Sequence, residues 1–142
     1  MHAPPPISLV DAFPPAIASL VFVLAMSFVR EPPRRHLNAI LVTGASGVYM
    51  SGGFGPWELA YAAVAGCVVG YLALGSYRWI GIGWLMHAGW DVLHHLYGNP
   101  IWPFQPTSSF GCMVFDTGIA LWFLAGAPAL VTQRRTESAR AR

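Results

Sequence analysis

The chain has 142 residues, 55% of them hydrophobic and only 10% charged, with a formal net charge of +2. A soluble domain carries about 25% charged residues, so this composition belongs to a membrane protein forming one compact unit. Lysine is absent and no basic cluster suits nucleic acid, and no positively charged stretch precedes the first apolar run as a cleavable signal would require.

Residues 1–13 are Pro-rich and nearly uncharged, and read as an interfacial segment. The first span is expected over about 14–29, with Pro14 at a helix start. The run Arg30-Glu31-Pro32-Pro33-Arg34-Arg35 ends it. A second segment, about 36–51, is short and carries Thr43, Gly44, Ser46, Gly47 and Ser51. It suits the bundle interior better than lipid. Gly52-Gly53-Phe54-Gly55-Pro56 is a turn.

The third span, about 57–74, opens with Glu58. Its Ala62, Gly66 and Gly70 form a ridge of small residues that lets a neighbouring helix approach. Gly75-Ser76-Tyr77-Arg78 leads into the fourth span, about 79–97. A loop then holds Pro100, Pro103 and Pro106 with Trp102, Phe104 and Phe110, residues suited to a membrane boundary. Thr107-Ser108-Ser109 supplies caps for a fifth span, about 110–131, with Asp116 near its start and Pro128 as a kink in its end. The tail 133–142 is basic and expected to fray. Cys67 and Cys112 are placed too differently to form a structural disulfide.

The expected fold is therefore all-α, an integral membrane bundle of five transmembrane helices in a single domain. Five spans place every arginine (30, 34, 35, 78, 134, 135, 140 and 142) on one side. The positive-inside rule makes that side cytoplasmic, with the N-terminus outside and the C-terminus inside, in a multi-pass protein of the cell membrane. Membrane lipids and a second copy of the chain are the expected partners.

The fourth span carries the chemistry. At 100° per residue, His87, Asp91 and His94 share one helix face with His95 beside them, and Gly83 and Gly98 extend that stripe. Leu85, Val92 and Leu96 point the other way. Ionisable groups within a membrane are costly and mark functional sites. On the topology above, Glu58 and Asp116 reach the same outer depth from the third and fifth spans. His87, Asp91, His94, His95, Asp116 and Glu58 are thus candidate ligands of a divalent metal. Such a nitrogen and oxygen set suits Zn²⁺, Fe²⁺ or Mn²⁺. His87 and His94 lie about 10.5 Å apart along the axis, too far to share one ion, whereas Asp91 is within a turn of every histidine and can bridge. Structural roles compete with these. Glu58 and Asp116 also suit a helix N-terminus, His94 and His95 can reach headgroups, and His87 with Asp91 can be a buried packing pair. Trp57, Trp84, Trp90, Trp102 and Trp122 read as belt or packing residues.

The string His87-Ala88-Gly89-Trp90-Asp91-Val92-Leu93-His94-His95, then Asn99-Pro100-Ile101, Ser108-Ser109-Phe110-Gly111-Cys112 and Phe115-Asp116 resemble a family of small membrane proteins, the domain-of-unknown-function family numbered six thousand and ten. Ser51-Gly52-Gly53 and Trp57-Glu58 fit the same resemblance, which covers most of the chain beyond the first span. It implies a small multi-pass membrane protein and supplies no substrate. Asp91-Val92-Leu93-His94-His95 also resembles one histidine box of membrane desaturases and hydroxylases, but the further boxes of those enzymes are absent. Alkaline ceramidase-like hydrolases share the inventory of side chains and not the motif order.

The residues together point to a metal-dependent membrane enzyme with an outward-facing site acting on a lipid or apolar substrate, with Asp91, His87 and Glu58 as its catalytic groups. A proton- or cation-coupled transporter or channel subunit is the alternative, and a non-catalytic subunit the third.

Overall fold

A computed structural model describes residues 4–49 and 52–130. Among them are five helices and no strand: α1 (Leu9–Ser27), α2 (Pro33–Ala45), α3 (Pro56–Ala73), α4 (Tyr77–Tyr97) and α5 (Ser108–Leu124). Consecutive helices run antiparallel. α5 packs along both α1 and α4, and α2 lies against α3 and α4.

The ends of three helices move from their expected positions. α1 starts at Leu9 rather than at Pro14, because the Asp11 carboxylate accepts the backbone N–H and the hydroxyl of Ser8 (2.8 and 2.6 Å) and so caps an earlier first turn. Pro14 and Pro15 thus lie within the helix. α2 starts on Pro33 and stops at Ala45, followed by hydrogen-bonded turns to Tyr49, while Ser51 lies outside the described residues. At 13 residues it is about 20 Å long, short of the ~30 Å of a bilayer core. α5 ends at Leu124 instead of near 131. There Gly126, at φ 88°, donates to the Phe123 carbonyl and Ala127 to that of Trp122, a Schellman termination. Pro128 therefore follows the helix and does not kink it. The basic tail lies outside the described residues.

Two helices, α1 and α3, are long and apolar enough to cross a membrane, and α5 is a shorter apolar helix. α4 has the length, at 21 residues, but its polar stripe lowers its apolarity.

The small-residue ridge on α3 does what its spacing suggests. A Cβ on Gly70 would stand 2.1 Å from Thr43 Oγ1, and one on Gly66 3.0 Å from Ser46 Oγ. Thr43 and Ser46 turn their hydroxyls back onto the Ala39 and Thr43 carbonyls at 2.8 and 2.6 Å, so α2 needs no outside partner for them. The contact coincides with a π-helical stretch, Ala63–Val69.

At one end of the bundle Arg34 is buried. It donates from Nε to Glu31 (3.0 Å) and to the Tyr77 hydroxyl (2.7 Å), and its guanidinium lies 5.8 Å from the Trp122 ring centroid. Tyr77 also hydrogen-bonds Glu31. The middle is an apolar core of Val23, Val42, Val69, Ile80, Ile119 and Phe123. The other end holds the acids and histidines.

Candidate metal centre

α4 brings His87, Asp91 and His94 to its buried face, where their exposures are 4%, 0% and 1%. Leu85, Val92 and Leu96 on the opposite face are exposed. α5 adds Asp116 and α3 adds Glu58, both buried.

His87, Asp91 and Asp116 each offer an atom within 4.8 Å of the others. His87 Nδ1 is 2.8 Å from Asp116 Oδ2 and 3.7 Å from Asp91 Oδ2. Its Nε2 is 2.7 Å from the carbonyl of Ala45 at the end of α2. A carbonyl can only accept, so Nε2 carries the proton and donates it. In a neutral ring the Nδ1 lone pair then faces two carboxylates. A proton or a cation has to lie between them.

Asp91 uses one oxygen on each side. Oδ1 accepts the Tyr49 hydroxyl at 2.6 Å, while Oδ2, turned towards His87, accepts no hydrogen bond. The Tyr49 ring is itself fully buried and stacks on the His94 imidazole.

His94 belongs to a second grouping. Its Nδ1 is 3.2 Å from the carbonyl of Asn99, which likewise fixes the proton on that nitrogen. Its Nε2 is 3.1 Å from Glu58 Oε1 but has no hydrogen-bond partner, so the carboxylate is near it and off its axis. Glu58 is oriented by two N–H donors, the backbone of Phe54 (3.3 Å, to Oε1) and the indole of Trp90 (3.0 Å, to Oε2). Gly52 and Gly98 make room for the imidazole: a Cβ would stand 2.4 Å from His94 Cε1 at Gly52 and 2.6 Å from Nδ1 at Gly98.

The six candidate residues therefore divide. His87, Asp91 and Asp116 form one centre and His94 with Glu58 an adjoining pair. His95 takes part in neither. Its half-buried ring lies 6.0 Å from that of Phe110, in a cavity lined also by Pro4–Pro6, Tyr97 and His94. Trp90, expected in a belt or packing role, positions Glu58, whereas Trp57 and Trp102 are exposed and Trp84 and Trp122 buried. Cys67 and Cys112 are free thiols. Tyr49 and the carbonyls of Ala45 and Asn99 have no counterpart in the sequence expectations. The hydroxyl of Tyr49, closing a short polar segment, was the one signal available.

No curated protein and no solved structure matches the chain. The family model described as "Family of unknown function (DUF6010)" matches residues 10–129, which takes in all five helices but for the first residue of α1, and every residue of both groupings. The chain belongs to this family, DUF6010.

Proposed function

We propose that the chain is a metal-dependent membrane enzyme whose divalent ion is held by His87, Asp91 and Asp116, acting on a lipid or other apolar substrate at the outer leaflet. The observation that carries this is the His87 ring, tied through Nε2–H to a backbone carbonyl with Nδ1 turned onto two buried carboxylates. Ligand histidines are commonly held this way, the second nitrogen donating to a carbonyl. Charge favours the same reading. Two carboxylates with a neutral imidazole balance one divalent cation, and uncompensated charge in a buried site is expensive. The donor set suits Zn²⁺, Fe²⁺ or Mn²⁺. Three protein ligands leave a position where an ion polarises a substrate or lowers the pKa of bound water.

The membrane reading is supported by inversion of the usual pattern. Leu20, Val64 and Leu121 are 63%, 52% and 60% exposed while Asp91, Asn38 and Ser109 are fully buried. We take the chain as a five-helix, multi-pass bundle in the cell membrane with the N-terminus and the site outside and the arginine end cytoplasmic. α2 is buried along Asn38, Ala39 and Val42 and turns Leu37, Ile40 and Leu41 outward. Lipids cover the apolar exterior, and a second copy of the chain can share it. A transporter would need ionisable groups continuing towards the arginine end, and the core in that direction is apolar, which favours a one-sided site.

The test is metal content per folded chain in wild type and in Asp91→Asn, a near-isosteric change. Substantial metal in wild type that falls by at least one ion per chain in the variant is expected. Equal metal in both removes Asp91 as a ligand, and none in either removes the metal reading.

A further inference from the structure

Glu58 and His94 are not used by the three-residue centre, yet they are arranged as a pair of ligands. We propose that they hold a second divalent cation, so that the site is a two-ion centre. This deepens the function proposed above and rests on it for its chemistry, though not for its geometry.

Four observations support the position. His94 is 1% exposed and its Nε2 lacks a hydrogen-bond partner, a costly state for a buried ring nitrogen. Its other nitrogen donates to the Asn99 carbonyl, so in the neutral ring the Nε2 lone pair is free to bind. Glu58 Oε1 lies 3.1 Å from Nε2 but off the ring axis. An imidazolium would be expected to aim its N–H along that line. Two donors on one ion are instead off-axis by nature: at about 2.1 Å each and a coordination angle of 90–110°, they stand about 3.0–3.4 Å apart. Finally, Glu58 is held by the Phe54 N–H and the Trp90 indole N–H, outer contacts of the kind that orient a ligating carboxylate.

The two positions are neighbours. Asp91 and His94 are three residues apart on α4, about 4.5 Å of rise, and Tyr49 touches both. Glu58 and a neutral His94 leave one positive charge on a divalent ion. A cavity of about 370 Å³ lined by Val48, Tyr49, Gly52 and Asn99 adjoins the pair, from which a hydroxide or an anionic substrate group can complete the charge. Two ions close together clamp both oxygens of a displacement at phosphorus or carbon.

Metal-free protein in detergent is titrated with Mn²⁺, following bound ion per chain and the electron paramagnetic resonance spectrum. Two ions per wild-type chain with spin–spin interaction between them are expected. Glu58→Gln, which keeps size and one oxygen, and His94→Gln should each bind one ion with the isolated-ion spectrum. Wild type that saturates at one ion, unchanged in Glu58→Gln, overturns the second position and leaves the first centre standing. One ion lost in Glu58→Gln but kept in Asp116→Asn upholds the Glu58–His94 position and overturns the first. No binding in wild type overturns both. The wild-type stoichiometry and spectrum decide the matter even if a variant fails to fold.

Discussion

The ring of Tyr49 lies on the ring of His94, with centroids 3.7 Å apart and planes 15° apart, while its hydroxyl reaches Asp91 Oδ1 at 2.6 Å. One side chain thus holds a member of each grouping. Tyr49→Phe keeps the stack and removes the donor to a fully buried carboxylate oxygen. Loss of such a partner costs about 1–3 kcal/mol. The expected result is a lower unfolding temperature in detergent and metal affinity weaker by about 10- to 100-fold. Unchanged affinity would show that the hydroxyl does not orient Asp91.

Metal uptake should release protons. A divalent ion takes its ligands deprotonated, so binding displaces protons from the His87–Asp91–Asp116 centre. Affinity therefore rises with pH and falls on acidification. A pH indicator in weakly buffered detergent reads the release directly. Binding that is independent of pH and releases nothing would contradict the ligand set.

Two glycine substitutions should part in sign. Gly89 faces open space, so Gly89→Ala adds helix propensity and stabilises by up to about 1 kcal/mol. Gly70→Ala drives a methyl into Thr43 Oγ1, whose hydroxyl is committed to the Ala39 carbonyl, and should destabilise. Thermal unfolding of the two variants side by side checks this.

Arg34 is at the end of the bundle away from the metal centre. Arg34→Leu deprives Tyr77 and Glu31 of their shared donor and should lower stability by about 1–3 kcal/mol. Metal content per folded chain should not change. A loss of metal would mean that the two ends are coupled through the apolar core.

Orientation is open to labelling. In a variant lacking Cys67 and Cys112, a cysteine at Gln105 should react with an impermeant maleimide from outside, and one at Arg78 only from the cytoplasmic side. The opposite pattern would put the site inside the cell.

The number of helices was legible because Pro, Gly and Arg punctuate the chain at each turn. The stripe on α4 was legible too, since 100° spacing fixes which of its residues share a face. Even so, one position separates His94, between Tyr49 and Glu58, from His95, against Phe110. Asp116 and Glu58 stood out as acids within apolar segments. What the residues could not declare were the carbonyls of Ala45 and Asn99, because a backbone acceptor has no side-chain signature. Ends misled where two signals competed. Ser8 and Asp11 outweighed Pro14 as a start, and the left-handed turn at Gly126 stopped α5 before Pro128 could bend it.

The prolines inside α1 bear on how deep that helix sits. Pro14 and Pro15 have no N–H to give to the carbonyls of Val10 and Asp11, which an uninterrupted helix would have bonded. Hydrocarbon offers no substitute donor, so these carbonyls belong where water can reach them. On the membrane reading proposed above, the opening turn of α1 would lie in the wet interface, and the stretch from the prolines to Ser27, about 20 Å, would call for a locally thinned bilayer.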